Sequence, residues 1–589
     1  MKLSDPYLSR VLYIDLTRKK YWIENRDDIF EEYIGGVGVA TKLLQEELPR
    51  NADPLGPENV IVFAVGPFNA VYPIASKTVA MFKSPLTRNL GESHAGGRSS
   101  TVIRMAGYGA IVIKGASDIP IYLAIHGEKV YFKDARALWG VRSAHTIGRV
   151  LREREPGSGY RTIMRIGRAG EELVRYASVI VDSYRHFGRL GLGAVMGSKK
   201  LKALVISGKR SIPIPNKPKY REVYNKIYKA AIESPAMRKY HDYGTPVNVL
   251  HLNALGALPA KNLTSAKFDG AEEISGERLA ETKLARRVAC SHCVVACIHI
   301  AAIREEYPHE KFFYTVRYVS YDYEPIYANG TMLGINDPEG LIRVLEEIEI
   351  QGLDAMSTGV VLAWATEAYR RGLISKKDTL IDLRWGDWKS YIQAIRYIVK
   401  QPNEFYKTLA LGVEEAAKKY GGLEFALSFG KNEMPGYHTG PGCHIGWLIG
   451  ARHSHLDNAG YSLDQKFLSG NLPSPEEYVD LLMKEEVWRQ ILTSLVVCLF
   501  ARGIYKPDIV AEAFNAIGYD YKVDDLLNIG WKIYKEKHKL KLELGFDPLK
   551  LRIPRRILEV PTPHGIIPEE YLKKAITYFS QKLRKILES

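Results

Sequence analysis

The 589-residue sequence is poor in cysteine and contains no long apolar run. Five cysteines are too few for a disulfide framework in so long a chain, which points to thiolate chemistry or simple burial. No window approaches the roughly 18 uncharged apolar residues that a membrane-spanning helix needs, and the first residues lack the basic and apolar regions of a signal peptide. The sequence therefore predicts an unexported, cytoplasmic protein with no membrane association.

The sequence also lacks a compact basic tract, although its formal net charge is +15. Nucleic-acid binding favours a clustered basic stripe with interleaved aromatics, whereas the basic residues here are mixed with acidic ones. A basic surface can equally attract an acidic protein, because long-range fields raise the association rate of oppositely charged partners. We therefore favour an acidic protein partner over nucleic acid.

The order of the sequence patterns predicts an α+β protein with a β-rich N-terminal domain followed by two mainly helical domains. The chain is too long for a single hydrophobic core. Short β-branched runs separated by glycine turns predict strands over 60–65, 110–114 and 121–125.

Helical periodicity dominates after the proline-rich stretch 213–218. The predicted helices include 220–233, 338–351 and 404–419. The predicted domains are 1–210, 211–415, which carries a cysteine triad, and 416–589, which carries a further candidate ligand.

The triad consists of Cys290, Cys293 and Cys297, which lie within eight residues. A loop that runs into a helix can direct three thiolates at this spacing toward one point, and soft thiolates suit an iron–sulfur cluster or zinc. Cys443 and Cys498 are the candidates for a distant fourth ligand. Three close cysteines plus a remote one favour iron–sulfur, with structural zinc and inert buried cysteines as the alternatives.

Glycine is dense in three loops of the N-terminal half, at 35–38, 91–97 and 188–197. Glycine lets backbone amides approach phosphate closely, and Arg185, Arg189, Lys199 and Lys200 supply charge beside the third loop. None of the loops matches a Walker or Rossmann motif. Together they predict a phosphorylated cofactor, whereas each loop taken alone is more often a tight turn.

Several specific motifs occur in order along nearly the whole chain. They include Lys83-Ser-Pro-Leu-Thr87, Ile166-Gly-Arg-Ala-Gly-Glu171, the glycine loop 188–199, the cysteine triad, Gly334-Ile-Asn-Asp337 and Arg384-Trp-Gly386. In this combination the sequence resembles the tungsten-containing aldehyde ferredoxin oxidoreductases. The resemblance implies aldehyde oxidation at tungsten held by two molybdopterins, with electrons leaving through a [4Fe–4S] cluster to ferredoxin or to a small polyferredoxin-like subunit.

The resemblance assigns Cys290, Cys293, Cys297 and Cys498 to the cluster and leaves Cys443 as a spare. Two family motifs, Asp-x-x-Gly-Leu-Asp and Asp-x-x-Gly-Leu-Cys, bind the pterins.

Here the first pterin motif runs from Glu349 to Leu353 and Asp354, and the second runs from Thr493 to Val497 and the remote cysteine. Glu349 keeps a carboxylate, whereas Thr493 cannot match the charge-assisted hydrogen bonds of aspartate. The resemblance thus implies a site with two pterins, one of which is held differently.

At the phosphate end, the resemblance implies contacts from Gly96 and Arg185. It also implies a magnesium ion that bridges the phosphates and is held by the backbone carbonyls of His94 and His186. Lys77 stands where the family has an arginine between cluster and pterin.

For the chemistry, the family's active-site glutamate falls on Glu324 and its histidine on His455, with His453 and His444 as alternatives for the histidine. Glu324 would activate water or take a proton, and His455 would polarise the carbonyl oxygen of the aldehyde. Glu324 taken alone could instead be a buried ion-pair partner.

The family's interface-iron motif Glu-x-x-His reads Arg343-Val-Leu-Glu346 here, so an iron-bridged homodimer is not expected. Three other functions stay open at this level. They are a related tungsten enzyme that reduces carboxylates, a non-catalytic electron-transfer subunit that has lost the pterin, and a nucleic-acid binder.

Overall fold

Two six-stranded sheets form the N-terminal part of the protein in a computed structural model that describes residues 5–307 and 309–588. The predicted outer domain limits, residues 1 and 589, lie outside the described residues. The strands of these sheets are β1 (Arg10–Asp15), β2 (Lys20–Asn25), β3 (Ile61–Ala64), β4 (Thr78–Lys83), β5 (Leu90–Ala95), β6 (Ala110–Lys114), β7 (Ile121–His126), β8 (Lys129–Asp134), β9 (Arg161–Ile166), β10 (Val179–Val181), β11 (Arg185–Phe187) and β12 (Leu201–Ser207).

Six helices cover these sheets. They are α1 (Asp27–Tyr33), α2 (Gly36–Glu47), α3 (Ser99–Ala106), α4 (Ala144–Arg154), α5 (Arg168–Glu171) and α6 (Leu192–Ser198).

The first sheet has the order β2-β1-β6-β3-β4-β5, and the second has the order β11-β10-β9-β12-β7-β8. Strands β3 and β6 are buried along nearly their whole length, as their uninterrupted apolar sequences predict. Strands β5 and β11 are edge strands, and they contact each other. The two sheets therefore meet along edges whose outer backbone groups have no partner strand within their own sheet.

The middle of the chain is mainly helical. Its helices are α7 (Lys217–Ile232), α8 (Pro235–Tyr243), α9 (Asn248–Leu255), α10 (Gly276–Thr282), α11 (Tyr323–Asn329), α12 (Pro338–Gln351), α13 (Ala355–Arg370), α14 (Lys376–Thr379), α15 (Trp388–Lys400), α16 (Glu404–Leu409) and α17 (Val413–Tyr420).

The C-terminal part is also mainly helical and includes a two-stranded ribbon. Its elements are β16 (Ser428–Phe429), β17 (Asn432–Glu433), α18 (Pro441–Ile449), α19 (His455–Asn458), α20 (Gly460–Lys466), α21 (Pro475–Ser494), α22 (Pro507–Ala516), α23 (Val523–Glu543), α24 (Arg556–Glu559) and α25 (Glu569–Glu588). The predicted fold class, β-rich and then helical, is confirmed.

Local signals explain where the structure matches and departs from the predicted helices. Helix α12 spans the predicted residues because Asp337 caps its first turn through the Glu339 N–H, and Gly352 ends it in the left-handed conformation. The single helix predicted over 404–419 is wrong. Gly412, with φ of +108°, separates α16 from α17.

A three-stranded sheet that no sequence pattern predicted interrupts the helical region. It consists of β13 (Leu284–Val288), β14 (Ile298–Tyr307) and β15 (Glu310–Tyr321), all antiparallel. The cysteine triad lies in the loop between β13 and β14, so the expectation that its loop runs into a helix is also wrong.

One hydrophobic core joins the helical elements on both sides of residue 415, so the predicted division of the helical region at that point stays a prediction. A second core fills the space between the two N-terminal sheets. Within the described ranges, no helix is both long and apolar enough to cross a membrane.

A buried ion pair ties the C-terminal segment to α13. Arg556 Nη2 lies 2.6 Å from Glu367 Oε1, and both side chains are almost fully buried. We expect Arg556→Ala to destabilise the fold by up to about 3–5 kcal/mol, because Glu367 loses its buried cation and keeps only the half-exposed Arg371 and the Asn262 amide as partners. The neighbouring Arg555 is exposed and pairs with Glu559, so Arg555→Ala should change stability by less than about 1 kcal/mol. Thermal unfolding of the two variants side by side measures the difference, and equal midpoints would contradict the prediction.

Candidate functional site

One cavity of about 520 Å³ receives the side chains of four cysteines and of several residues singled out in the sequence. The predicted residues that line it are Lys77, His94, Arg185, His186, Cys290, Cys293, Cys297, Glu324, His455, Val497 and Cys498. The remaining cysteine, Cys443, is buried in α18 and does not line the cavity.

Backbone hydrogen bonds bring the distant cysteine segments together. The Ile74 N–H donates to the His292 carbonyl over 2.8 Å, and the Ile74 carbonyl accepts from the Cys498 N–H over 3.0 Å. The Ser291 N–H donates to the Gly97 carbonyl over 2.9 Å. The loop before β4 therefore holds the triad and the remote cysteine in one place.

All four of these cysteines line the one cavity. No three His, Cys, Asp or Glu side chains of residues 5–307 and 309–588 lie close enough together to bind one metal ion. Zinc needs its ligands gathered around a single ion. A four-iron cluster separates its thiolates more widely.

Gly96 packs directly against the cysteine loop. A β-carbon at this position would lie 2.7 Å from Cys290 Sγ. Lys77 and Arg185 flank the same place, because their side chains would come within 3.5 and 3.4 Å of such a β-carbon. The site therefore requires glycine here and surrounds the thiols with cations.

The cations differ in how they are held. Burial lowers the pKa of Arg185, but Asp322 together with Cys290 and Cys297 outweighs burial, so the pKa is raised. Arg185 Nη2 donates to Asp322 Oδ2 over 3.0 Å. Burial likewise lowers the pKa of Lys77, whereas Cys498 and Cys290 raise it, and the net effect is a raised pKa. Both side chains stay charged beside the cysteines.

His94 and His186 lie on the two edge strands, β5 and β11, that meet between the sheets. Burial lowers the pKa of each imidazole to about 4, so both are neutral at physiological pH. The His94 ring lies 2.8 Å from Glu92 Oε1, whereas His186 Nε2 has no hydrogen-bond partner among residues 5–307 and 309–588.

Glu324 and His455 lie next to each other in the cavity wall, with Glu324 Oε1 3.4 Å from His455 Nε2. Burial raises the pKa of Glu324 to about 8, opposed by Arg189 and by the Gly436 N–H, which donates to Glu324 Oε2 over 3.1 Å. Burial and nearby arginines, Arg189 first, lower the pKa of His455 to about 3. The pair is thus a carboxylic acid poised near neutrality and a neutral imidazole.

The two alternative histidines lie elsewhere. His453 Nδ1 bonds to the Trp447 carbonyl over 2.7 Å, and its other nitrogen is 2.9 Å from Lys541 Nζ. His444 lies in α18, and its Nε2 is 3.0 Å from Nδ1 of His438, which precedes that helix. Neither lines the cavity.

Arg189 also lines the cavity, although the sequence indicated for it only a charge near a phosphate. Its Nε donates to Asp354 Oδ2 over 3.3 Å and its Nη2 donates to the Glu433 carbonyl over 2.7 Å. Its Nη1 has no hydrogen-bond partner in the described part of the chain. Its position in the glycine loop 188–197 was the sequence feature that could have identified it as a site residue.

The residues of the first pterin motif lie behind the cavity wall. Ser320 Oγ donates to Glu349 Oε1 over 2.6 Å, and Glu349 also lies 4.0 Å from His186. Asp354 caps α13 and binds Arg189, and Leu353 is buried in a bridge with Ala177.

The second motif departs from the family pattern in its structure as in its sequence. Thr493 Oγ1 donates to the Arg489 carbonyl over 2.7 Å, within its own helix α21. Thr493 therefore offers no side-chain group to the cavity, which Val497 and Cys498 do line.

Tyr437 and Tyr461 form an aromatic wall that no sequence signal indicated. Their rings stack with centroids 4.4 Å apart, and the Tyr437 ring lies 5.3 Å from that of His455. The tyrosines come from different elements, so only the tertiary structure brings them together.

The donor set fits the cofactors that the motifs imply. His186, Arg189, Glu324 and His455 line the cavity, and each has a buried polar atom without a hydrogen-bond partner among the described residues. Such groups are costly unless a ligand satisfies them. They surround the space beside four thiols, as a polar cofactor next to a cluster requires.

The comparison with known families covers nearly the whole chain. The model of the aldehyde ferredoxin oxidoreductase N-terminal domain matches residues 11–208, and the model of domains 2 and 3 of that family matches residues 222–586. The residues between these matches form the loop before α7 and the start of that helix.

Two individual proteins are similar to this chain over most of its length. The tungsten-containing aldehyde ferredoxin oxidoreductase of Thermococcus kodakarensis is 32% identical over 582 residues, which cover 94% of this chain and 92% of the relative. The aliphatic sulfonate oxidoreductase WOR-like subunit of Pyrococcus furiosus is 30% identical over 434 residues, covering 70% of this chain and 67% of the relative.

Among solved structures, the active-site complex BamBC of benzoyl coenzyme A reductase, with bound 1,5-dienoyl-CoA, shares the fold. The TM-score is 0.82, with coverage of 99% of this chain and 95% of that one. At 20% identity the similarity extends to the fold alone.

Proposed function

The chain belongs to the aldehyde ferredoxin oxidoreductase family, and from this premise we propose that it oxidises aldehydes to carboxylic acids. The observation that carries the proposal is one cavity with four cysteines and the Glu324–His455 pair in its wall. An electron-transfer subunit without catalysis would have no use for that pair. Aldehyde and water would give carboxylate, two electrons and three protons.

The cofactor assignments form part of the same proposal. Cys290, Cys293, Cys297 and Cys498 would hold a [4Fe–4S] cluster. Gly96, Arg185 and the carbonyls of His94 and His186 would hold the pterin phosphates and their magnesium, with Lys77 between cluster and pterin.

Glu349, Leu353, Asp354 and Val497 would shape the pterin pocket, acting partly through His186 and Arg189. When bound, the tungsten–pterin group supplies the two-electron chemistry.

Glu324 would take the proton of the attacking water. Its carboxyl is buried and one of its oxygens lacks a partner, so it has both the basicity and the free lone pair that the step needs. Arg189 and Asp354 set its charge environment, and the neutral His455 ring lies 3.4 Å away.

His455 would hold the carbonyl oxygen of the aldehyde. A neutral imidazole carries one N–H donor, and Nδ1 of His455 has no partner within the described protein. The ring is braced by Tyr437, so it is already oriented when the aldehyde arrives.

Metal analysis of protein purified without oxygen, followed by aldehyde-dependent reduction of benzyl viologen, tests the proposal. We expect tungsten and iron in a ratio of about one to four, and dye reduction that requires aldehyde. Iron without tungsten or molybdenum would overturn catalysis and leave an electron-transfer subunit. A tungsten-loaded protein that is inactive on aldehydes but active on another substrate would retain the cofactors and refute the substrate class.

A further inference from the structure

The outer face of the three-stranded sheet carries an exposed stripe of aromatic and basic side chains. We define the outer stripe as Arg286, Arg304, Tyr314, Val316 and Tyr318. Tyr314, Val316 and Tyr318 are 41%, 46% and 42% exposed. Arginine and tyrosine are the residue types enriched at protein interfaces.

The strand register places the stripe on one face. Ala302 pairs with Tyr318, Arg304 with Val316 and Glu306 with Tyr314, and directly opposed residues share a face. The other face lies on α12, where Arg317 pairs with Glu346 and Glu305 with Arg343. The outer stripe lies on the opposite, exposed face, which α12 reaches only beyond Tyr318, where Glu349 accepts a hydrogen bond from Ser320.

The arginines of the stripe are held on the rings instead of on carboxylates. Arg286 Cζ lies 4.5 Å from the Tyr318 ring centroid, and Arg304 Cζ lies 3.9 Å from that of Tyr314. In the described part of the chain, neither arginine has a carboxylate within 4.0 Å. Glu306, on the same face, accepts a hydrogen bond from the Phe312 N–H.

The stripe leads directly to the cysteine loop. Strand β13 ends two residues before Cys290, and β14 begins immediately after Cys297. Along β15, the alternate residue after Tyr318 is Ser320, whose hydroxyl binds Glu349 beside the cavity wall. The stripe is thus continuous with the site from which electrons must leave.

We propose that the outer stripe docks an acidic one-electron carrier protein with an iron–sulfur cluster. The inference rests on the proposed function, since aldehyde oxidation releases two electrons and the carrier would take them one at a time, each reducing one carrier cluster. The unpaired arginines and the net charge of +15 complement an acidic surface. A second copy of this chain would bring the same arginines and repel.

The test uses an oxidised acidic [4Fe–4S] ferredoxin as the probe. In the double variant Arg286→Glu with Tyr318→Ser, the dissociation constant for this ferredoxin should rise at least about tenfold. The constant is measured by surface plasmon resonance at low salt. Ferredoxin reduction at subsaturating carrier should fall by the same factor, while benzyl viologen reduction stays within about twofold.

The matched control changes the same chemistry on the far edge of the second sheet. Lys129 and Tyr131 are exposed on β8, so Lys129→Glu with Tyr131→Ser reverses one charge and removes one tyrosine far from the stripe. This control should bind ferredoxin as the unmodified protein does. Arg304→Glu alone provides a second stripe variant should the first not fold.

Unchanged ferredoxin binding in both stripe variants would overturn the proposal. The proposal would also be overturned if the unmodified protein sediments as a dimer and the stripe variants sediment as monomers, because the stripe would then join two copies of the chain. If the unmodified protein reduces no dye, the aldehyde function fails, yet the binding measurement still decides the docking site.

Discussion

We expect Glu324→Gln to lower aldehyde-dependent dye reduction by roughly 10²- to 10⁴-fold, the range typical for loss of a general base. Glutamine keeps the size and the acceptor for the Gly436 N–H but cannot take a proton. Tungsten and iron content should not change, since no cysteine or phosphate contact is altered. Steady-state kinetics together with metal analysis separate a chemical loss from a cofactor loss.

The pH dependence provides an independent readout of the same residue. Burial raises the pKa of Glu324 to about 8, so the carboxylate forms only as the pH rises through that value. The rate of the unmodified protein should therefore increase with pH up to about 8, and the glutamine variant should lack this rise.

A buried carboxylate with a raised pKa also destabilises the fold as the pH rises. Above its unfolded pKa, the unfolded chain has lost the proton while the folded protein still holds it, so stability falls between about pH 4.5 and pH 8. The glutamine variant should unfold at an equal or higher temperature than the parent at pH 8. A lower midpoint would indicate a structural role for Glu324.

Glu433→Gln is the matched control for this variant. Glu433 is also fully buried with a pKa raised by burial, but it does not line the cavity and accepts hydrogen bonds from Ser357 and from the Val413 N–H. We expect the aldehyde-dependent rate of Glu433→Gln to remain within a few-fold of that of the unmodified protein. A comparable loss in both variants would argue against a specific role for Glu324.

The second large effect is expected for Cys498→Ser. Removal of the remote thiolate should lower the iron content of the protein. It should also lower the aldehyde-dependent rate by more than about a hundredfold. Loss of a group that only supports a metal ligand typically lowers activity by about 10- to 100-fold, so the loss of a ligand should exceed that range. The serine hydroxyl is a poor iron ligand in place of the thiolate. Iron and sulfide analysis with electron paramagnetic resonance of the reduced protein measures the change.

Cys443→Ser distinguishes a ligand from a buried cysteine. Cys443 lies in α18, where its Sγ is 3.1 Å from the Gly440 carbonyl, an acceptor that a serine hydroxyl can also use. This variant should keep its iron and activity. Loss of the cluster there, with retention in Cys498→Ser, would reverse the ligand assignment.

Much of the architecture could be predicted because it depends on local pattern. Strand β6 and helix α12 have the predicted bounds, since an apolar β-branched run and an Asp-Pro start with a glycine end are complete within a few residues. The break at Gly412 was missed because apolar spacing continues on both sides of it. The sheet β13–β15 was missed because its exposed face carries arginines and tyrosines in place of a simple alternation.

The sequence by itself determined the family, the cysteine spacing and the motif departures at Glu349 and Thr493, because residue identity and order are all that these require. The tertiary structure decided which side chains share the cavity. The backbone bonds of Ile74 join the triad to Cys498, and burial between elements far apart in sequence sets the acidity of Glu324. Such contacts depend on long-range packing and desolvation, which no local pattern records.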